Sequence, residues 1–252
     1  MKFIAIIPAR YASTRFPGKP LADMNGKPMI QRVYEQVKKC VDKVYVATDD
    51  ERIYSAVESF GGNVVMTSQN HKSGTDRCAE AYEKIGNGED VIINIQGDEP
   101  FIAPSQIQSI MQCFSDSSVQ IATLVKPFTE SDGIDALMNP NSPKVVLGVD
   151  NQALYFSRSV IPYVRGCDMQ DWLKENTFYK HIGMYAYRAD ALKQITQLPQ
   201  SSLEKAESLE QLRWLQNGLK IKAGITTQET IGIDTPDDMQ KALEFMKQIA
   251  NS

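Results

Sequence analysis

The chain has 252 residues, with 27 Lys and Arg against 31 Asp and Glu and a formal net charge of −4. Hydrophobic residues make up 42% and charged residues 23%, enough apolar surface to offset chain entropy, which excludes a mainly disordered state. The mild acidic balance argues against a general nucleic-acid binder, which would need a basic face, and the apolar run at residues 3–7 is too short for a membrane span or a signal segment.

A buried parallel strand is predicted at residues 2–7, apolar on both faces. A polar loop rich in Arg, Gly and Pro follows at 8–20. Pro28 opens a helix in which Met29, Ile30, Val33, Val37 and Val41 recur at helical spacing. A second strand is predicted at 43–47, then a helix capped by Asp49 or Asp50 and ended by Gly61 and Gly62. A third strand at 64–67, a helix at about 75–85, a fourth strand at 91–95 and a helix from Pro104 continue the alternation. That rhythm implies right-handed βαβ units and a parallel sheet with helices on both faces.

Beyond Pro127 the rhythm changes. Residues 144–149 and 153–156 flank a turn at Asp150-Asn151 and read as a hairpin. Residues 157–180 read as irregular, with Tyr163, Trp172, Phe178 and Tyr179 expected at the surface and contributing to a two-fold interface. A strand at 182–187, one helix at 203–216 ended by Gly218, and a strand at 220–223 follow. The last helix is marked by Thr235 as N-cap, Pro236 in the first turn, and Asp237 and Asp238 near the positive helix end. The expected fold class is α/β: a Rossmann-like, mostly parallel sheet flanked by helices. It is expected as a single domain over residues 1–252 with an inserted lobe at about 127–187.

Cys40, Cys78, Cys113 and Cys167 show no CxxC spacing and are expected as reduced thiols in a cytoplasmic protein. With only His71 and His181 beside them, a structural zinc site is not expected.

Three segments carry chemistry. The loop after the first strand brings Arg10, Arg15 and Lys19 together with Gly18, at the strand end where open α/β sheets bind ligands. Such charge suits a nucleoside triphosphate, although a solvated basic loop has the same composition. The loop is neither GxxxxGK[ST] nor GxGxxG. Asn94-Ile95-Gln96-Gly97-Asp98-Glu99-Pro100 leaves the fourth strand with two carboxylates, natural Mg²⁺ ligands or simply a turn. Asp234, in Ile231-Gly232-Ile233-Asp234-Thr235-Pro236, is a third candidate; it caps the helix, or it converges with Asp98 on one metal ion. Ser73-Gly74-Thr75-Asp76-Arg77 starts a helix and either caps it or reads a base. His181, Arg158 and Glu210 have bland readings too, as a satisfied polar core residue and two solvated charges.

Together "IPARYASTRFPGKPLADMNGKPMI", "SGTDR", "NIQGDEP", "ALYFSRSVIPY", "KHIGMYAYR", "LEQLRWL" and "GIDTPDD" run almost end to end and in order. In this the chain resembles the bacterial 3-deoxy-manno-octulosonate (Kdo) cytidylyltransferases. The resemblance implies a nucleotide-diphospho-sugar transferase fold and the reaction of CTP with Kdo to CMP-Kdo and diphosphate. It also implies Mg²⁺ as cofactor and a cytoplasmic homodimer serving lipopolysaccharide synthesis, with no nucleic-acid or membrane partner. Carried onto this chain, it assigns Arg10, Arg15 and Lys19 to the triphosphate and Asp98 and Asp234 to the metal. Ala9, Ser73, Gly74 and Thr75 would frame cytosine. Gln96, Arg158, His181, Tyr185 and Glu210, with Arg77, would shape the sugar-acid pocket. A sialic-acid cytidylyltransferase and a non-catalytic nucleotide sensor are the rival readings.

Overall fold

Burial on both faces makes the first strand. In β1 (Phe3–Ala9), Ile4, Ala5, Ile6 and Ile7 are fully buried. The structure, a computed structural model, describes residues 1–12, 15–229 and 232–250. Ser13 and Thr14 of the first loop and Ile231 before Asp234 lie outside the described residues. The chain divides into two compact units, residues 1–107 with 230–252, and residues 108–229.

The first unit follows the predicted alternation. α1 (Met29–Lys38) starts after Pro28 and buries Met29, Ile30, Val33, Tyr34 and Val37. β2 (Val44–Thr48) leads to α2 (Glu51–Ser59), where Asp50 is the cap, accepting from Arg52 N–H at 2.9 Å. Next come β3 (Val64–Met66) and α3 (Gly74–Ile85). Ser73 caps α3 through Asp76 N–H at 3.1 Å, so the helix begins at Gly74. β4 (Val91–Asn94) is buried throughout, and α4 (Pro104–Gln112) follows. The strands lie in the order β3-β2-β1-β4, all parallel. Parallel order puts the C-terminal ends of all four strands, and the loops leaving them, at one end of this sheet.

The second unit is mixed. It opens with β5 (Ile121–Pro127), a strand absent from the sequence reading, which buries Ile121, Ala122, Leu124 and Val125. α5 (Gly133–Met138) precedes the predicted hairpin, β6 (Lys144–Leu147) and β7 (Ala153–Ser157). α6 (Trp172–Glu175) is a single turn before β8 (Tyr179–Arg188). α7 (Ala189–Thr196), α8 (Ser202–Glu207), α9 (Gln211–Gln216) and β9 (Ile221–Ile225) complete it. β5 pairs antiparallel with β8 and parallel with β9, and β6 pairs antiparallel with β7 and β8. The stretch 127–187 lies within this unit together with β9 and the start of β5.

Two expectations are corrected. The helix expected at 203–216 is two helices, α8 and α9, separated at Ser208, whose φ of 51° is left-handed. α8 has its own capping box, Ser201 with Glu204, and Arg213 of α9 folds back to Glu204 with bonds of 2.8 and 2.7 Å. Nor are the aromatics of 157–180 all at the surface. Trp172 and Phe178 are 5% and 1% exposed and pack with Leu137 in a satellite core, while Tyr163 is 75% exposed. The irregular stretch is therefore folded around its own aromatic pair, with rings 6.1 Å apart.

The chain returns to the first unit through α10 (Pro236–Ala250). Thr235 and Asp238 form the predicted start: Asp238 N–H donates to Thr235 Oγ1 at 3.2 Å, and Thr235 N–H to Asp238 Oδ2 at 3.0 Å. Ile233, Met239 and Ala242 pack against Met24 and Met29 in one cluster, which anchors the residues around Asp234. Among the described residues no helix is long and apolar enough to cross a membrane.

Burial of Phe178 gives a direct check. Phe178→Ala should cost about 3–5 kcal/mol of unfolding free energy, the range for removing a buried aromatic ring. Urea unfolding followed by circular dichroism measures it, and a change near zero would place the ring at the surface.

Candidate active site

The loop leaving β1 is folded tightly before it reaches its cation. Gly18 N–H donates to Tyr11 O at 2.9 Å, and Gly18 has a φ of 72°. A Cβ there would sit 3.0 Å from the Tyr11 ring, so glycine serves both the conformation and the close approach. Lys19 follows at the first position of a short 3₁₀ turn. The loop leaving β4 approaches equally closely, because a Cβ on Gly97 would lie 3.0 Å from Pro8 O. The third loop is tied to the second by Ile233 N–H, which donates to Asp98 O at 2.9 Å.

These ties bring three charged residues to one point. Lys19 Nζ donates to Asp98 Oδ2 at 2.7 Å and to Asp234 Oδ1 at 3.2 Å. Arg15 pairs with the same Asp234 oxygen at 3.1 Å. The Lys19 side chain is only 13% exposed, against 65% for Arg15. The group opens onto a cavity of about 420 Å³. Ala9, Arg10, Arg15, Lys19, Asp98 and Asp234 line it on the charged side; Ser73, Gly74, Arg77 and Gln96 also line it. His71, which the sequence reading left without a role, lines it too, with Lys72. The signal for His71 was its place in the loop after β3, at the same strand ends as the other loops.

Asp98 and Asp234 face one ammonium, so both carboxylates can address one cation position. Two carboxylates completed by water and phosphate oxygens are the donor set that Mg²⁺ prefers. Among the described residues no group of three or more His, Cys, Asp or Glu could hold a metal. An ion at this point therefore needs oxygens from outside those groups. Glu99, the other acid of the loop, is buried. Burial, with Asp98 beside it, pushes its carboxyl up to about 8, which leaves it mainly protonated at neutral pH and Asp98 the metal candidate of the two.

Two assigned residues do structural work. Thr75 is buried at the start of α3 and is not part of the cavity lining. Arg77 is 4% exposed and braces the loop ends: it donates to Thr67 Oγ1 at 2.6 Å, Ser68 O at 3.3 Å and Asp49 Oδ2 at 2.7 Å.

In the second unit, Arg158 spends its guanidinium on main-chain carbonyls. Nε donates to Glu207 O at 2.6 Å and NH1 to Pro140 O at 2.9 Å. Glu210 stands at the N-cap of α9, 3.6 Å from Arg213. His181 and Tyr185 lie together on β8, with rings 5.3 Å apart. The pairing of β5 with β8 slips there: Thr123 faces Tyr185, but Leu124 faces Ile182, leaving Gly183 and Met184 without partners on β5. The bulge lets Thr123 Oγ1 donate to Met184 O at 2.8 Å while His181 Nε2 lies 3.0 Å away. A hydroxyl has one proton, so with that proton on the carbonyl, Nε2 donates to Oγ1 and Nδ1 is the unprotonated nitrogen. Loss of hydration pushes the His181 imidazole down to about 3. At neutral pH its Nδ1 can accept a hydrogen bond, and the ring carries no positive charge. Burial, then Tyr187 and Glu210, holds the Tyr185 phenol well above its ordinary range, so it stays a neutral hydroxyl.

The cytidylyltransferase family profile matches residues 4–221. The chain is 73% identical, over 98% of each chain, to a 3-deoxy-manno-octulosonate cytidylyltransferase of Parabacteroides distasonis. It is 68% identical, again over 98% of each, to the protein of that name in Phocaeicola vulgatus. The chain belongs to the 3-deoxy-manno-octulosonate cytidylyltransferases. A solved CMP:2-keto-3-deoxy-manno-octonic acid synthetase complexed with CTP superposes with a TM-score of 0.90 at 43% identity, covering 98% of this chain and 99% of that one. Members of this family are nucleotidyltransferases, and this chain is an enzyme of that class.

The neutral His181 sets a pH dependence of stability. Its value is near 3 in the fold against an ordinary 6.5, so the unfolded chain takes up the proton first as pH falls. The contribution is present above about 6.5 and is lost progressively toward 3. His181→Gln should flatten the rise of unfolding free energy with pH between about 4 and 6 by up to one proton, or about 1.4 kcal/mol per pH unit. Urea unfolding across that window tests this, and an unchanged slope would assign the dependence to other groups.

Proposed function

We propose that the chain transfers CMP from CTP to Kdo, giving CMP-Kdo and diphosphate for lipopolysaccharide synthesis. The observation that carries the reading is the convergence of Lys19, Asp98 and Asp234 at the cavity where the β1 and β4 loops meet. A triphosphate brings strong negative charge, and the cations of the first loop answer it. Arg10, Arg15 and Lys19 hold its phosphates. Ala9, Ser73 and Gly74 frame the base, and Thr75 supports them from inside α3. Gln96, in the cavity lining, is assigned to the sugar acid. His181, Tyr185 and Glu210 recognise the sugar acid through neutral and anionic hydrogen-bonding groups. Arg158 and Arg77 act through the main chain and side chains they brace.

The sugar's anomeric hydroxyl attacks the α-phosphorus opposite the diphosphate. Two anions must approach, so cations placed beforehand lower the repulsion and stabilise charge on the leaving group. Mg²⁺ held by Asp98 and Asp234 would supply further positive charge at the phosphates. No covalent nucleophile is required, and orientation with electrostatics carries the rate. With Lys19 moved to the phosphates, both carboxylates are free for the ion.

The rival sensor reading needs no such pair of carboxylates, and the sialic-acid reading is disfavoured by the ordered SGTDR, QGDEP and KHIG segments. Release of diphosphate from CTP and Mg²⁺ only when Kdo is added tests all three. Release with a sialic acid instead would transfer the assignment, and no release with either acid would favour the sensor. Asp98→Asn should retain the fold and lose turnover by about 10²-fold or more. Asp234→Asn should behave alike, and the double variant should lose less than the two effects combined if both serve one ion. Full activity of Asp98→Asn in saturating Mg²⁺ would overturn the metal assignment.

The proposal includes a cytoplasmic homodimer. Free thiols at all four cysteines support a reducing compartment. Exposed apolar side chains in the second unit, Val149, Leu154 and Tyr163 among them, support a partner surface. Light scattering at micromolar concentration should give twice the chain mass; the mass of one chain would remove the dimer and leave the chemistry untouched.

A further inference from the structure

In the loop after β1, Arg10 and Ala12 line the cavity and Tyr11 between them does not. The Tyr11 ring lies against the residue that precedes Lys19. The place a Cβ on Gly18 would take is 3.0 Å from the Tyr11 Cζ and 3.1 Å from its hydroxyl oxygen. The main chain closes the loop at the same two residues, with Gly18 N–H donating to Tyr11 O at 2.9 Å. Tyr11 is thus the support on which the approach to Lys19 rests.

A second contact reaches that ring from the loop after β2. The Arg52 guanidinium carbon lies 3.3 Å from the ring centroid, close enough for a cation to be drawn to the aromatic face. Asp50 fixes Arg52 in this position. It accepts from Arg52 Nε at 2.9 Å, from NH2 at 2.7 Å and from the main-chain N–H at 2.9 Å. One carboxylate therefore caps α2 and aims the guanidinium with a fork of hydrogen bonds. Arg52 is 59% exposed, and an exposed ion pair by itself contributes little. Its placement is what counts: the pair ends on the ring that backs Gly18, while Arg52 itself is not part of the cavity lining.

We propose that Arg52, aimed by Asp50, is a positioning residue for the nucleotide: it holds the Tyr11 ring against Gly18 and so keeps Lys19 where the triphosphate binds. The inference rests on the reading of the cavity as a CTP site. The loop after β2 then sets the loop after β1 through a stacked pair outside the cavity lining. When the stack is lost, the loop spends less of its time in the competent arrangement, and the apparent affinity falls by that fraction. The worth of the contact bounds the fall, and for an exposed cation over a ring it is about 2- to 5-fold.

Calorimetric titration of the full chain with CTP and Mg²⁺, with steady-state kinetics in both CTP and Kdo, tests it. Arg52→Ala should weaken CTP by about 2- to 5-fold, and Tyr11→Leu by at least as much. The double variant should match Tyr11→Leu alone, because Arg52 acts only through the ring. Tyr11→Phe keeps the ring face and should bind CTP as the wild type does. Asp50→Asn still caps α2 but loses the ionic fork, and should give part of the Arg52→Ala loss. KM for CTP should rise, with KM for Kdo and kcat little altered. Unchanged CTP affinity in Arg52→Ala would overturn the inference. Losses that add in the double variant would overturn it and leave Arg52 a distant charge. A loss in Tyr11→Phe equal to that in Tyr11→Leu would overturn it by moving the role to the hydroxyl. An equal rise in KM for both substrates would overturn it in favour of a general loss of structure. A wild-type chain that bound no CTP would overturn the reading of the cavity, and this inference with it, before any variant was made.

Discussion

The site depends on one ammonium shared by two carboxylates. Lys19, Asp98 and Asp234 come from three loops far apart in sequence, and each loop is fixed by a different device. Gly18 turns the first, the missing Cβ of Gly97 admits the second against Pro8, and a main-chain bond from Ile233 to Asp98 ties the third to the second. None of these devices is itself charged. The backbone does the placing, and the charges meet because their loops are held. Without Lys19, two carboxylates sharing one point would repel, so the arrangement is stable only with a cation between them.

Behind that cluster the first unit uses charge differently. Arg77 is almost fully buried and answers Asp49 at the end of β2 while bonding the residues that follow β3. Isolated, it would carry a large desolvation cost; paired and hydrogen-bonded, it locks two strand ends together. Glu80 does similar work one helical turn further on, reaching Ser68 in the loop after β3 and His71 at the cavity wall. α3 thus supports the loop after β3 from below through Arg77 and Glu80, while its N-terminal Ser73 and Gly74 face the cavity.

How much of this was legible follows from where each signal lies. The parallel strands of the first unit are continuous apolar runs bounded by Gly, Pro and Asp, and they were readable within a residue or two. Thr235 and Asp238 announce α10 by local chemistry alone, and the structure forms that cap. β5 is not among the predicted strands, although its run from Ile121 to Val125 is apolar and the turn residues Ser115-Asp116-Ser117-Ser118 precede it. α8 and α9 were fused because Leu209, Leu212 and Leu215 keep helical spacing; the break at Ser208 is set by the tertiary contact of Arg213 with Glu204. The charged half of the site was visible as residue types at strand ends. The brace of Arg77 on Asp49 was not, because it joins two elements that only the sheet brings together. For His71 the sequence carries only a positional signal, its place in the loop after β3, while its partner Glu80 lies on the helix that follows.

Strengths of the ion pairs also set which contacts yield when charge arrives. Arg15 is two-thirds exposed, and its pair with the half-exposed Asp234 is a surface bridge of about 0–1 kcal/mol. Redirecting Arg15 to an incoming phosphate therefore costs little. Lys19 is mostly enclosed and has two partners, so its removal from the carboxylates without replacement would leave Asp98 and Asp234 facing each other. A polyanion alone would take the cation and expose that repulsion. On the proposed reading a divalent ion arriving with the polyanion would remove the conflict: Asp98 and Asp234 would hold it, and Lys19 would pair with the phosphates. On that reading the geometry that sets Lys19 between the two carboxylates would favour binding nucleotide and metal as one unit over binding either alone.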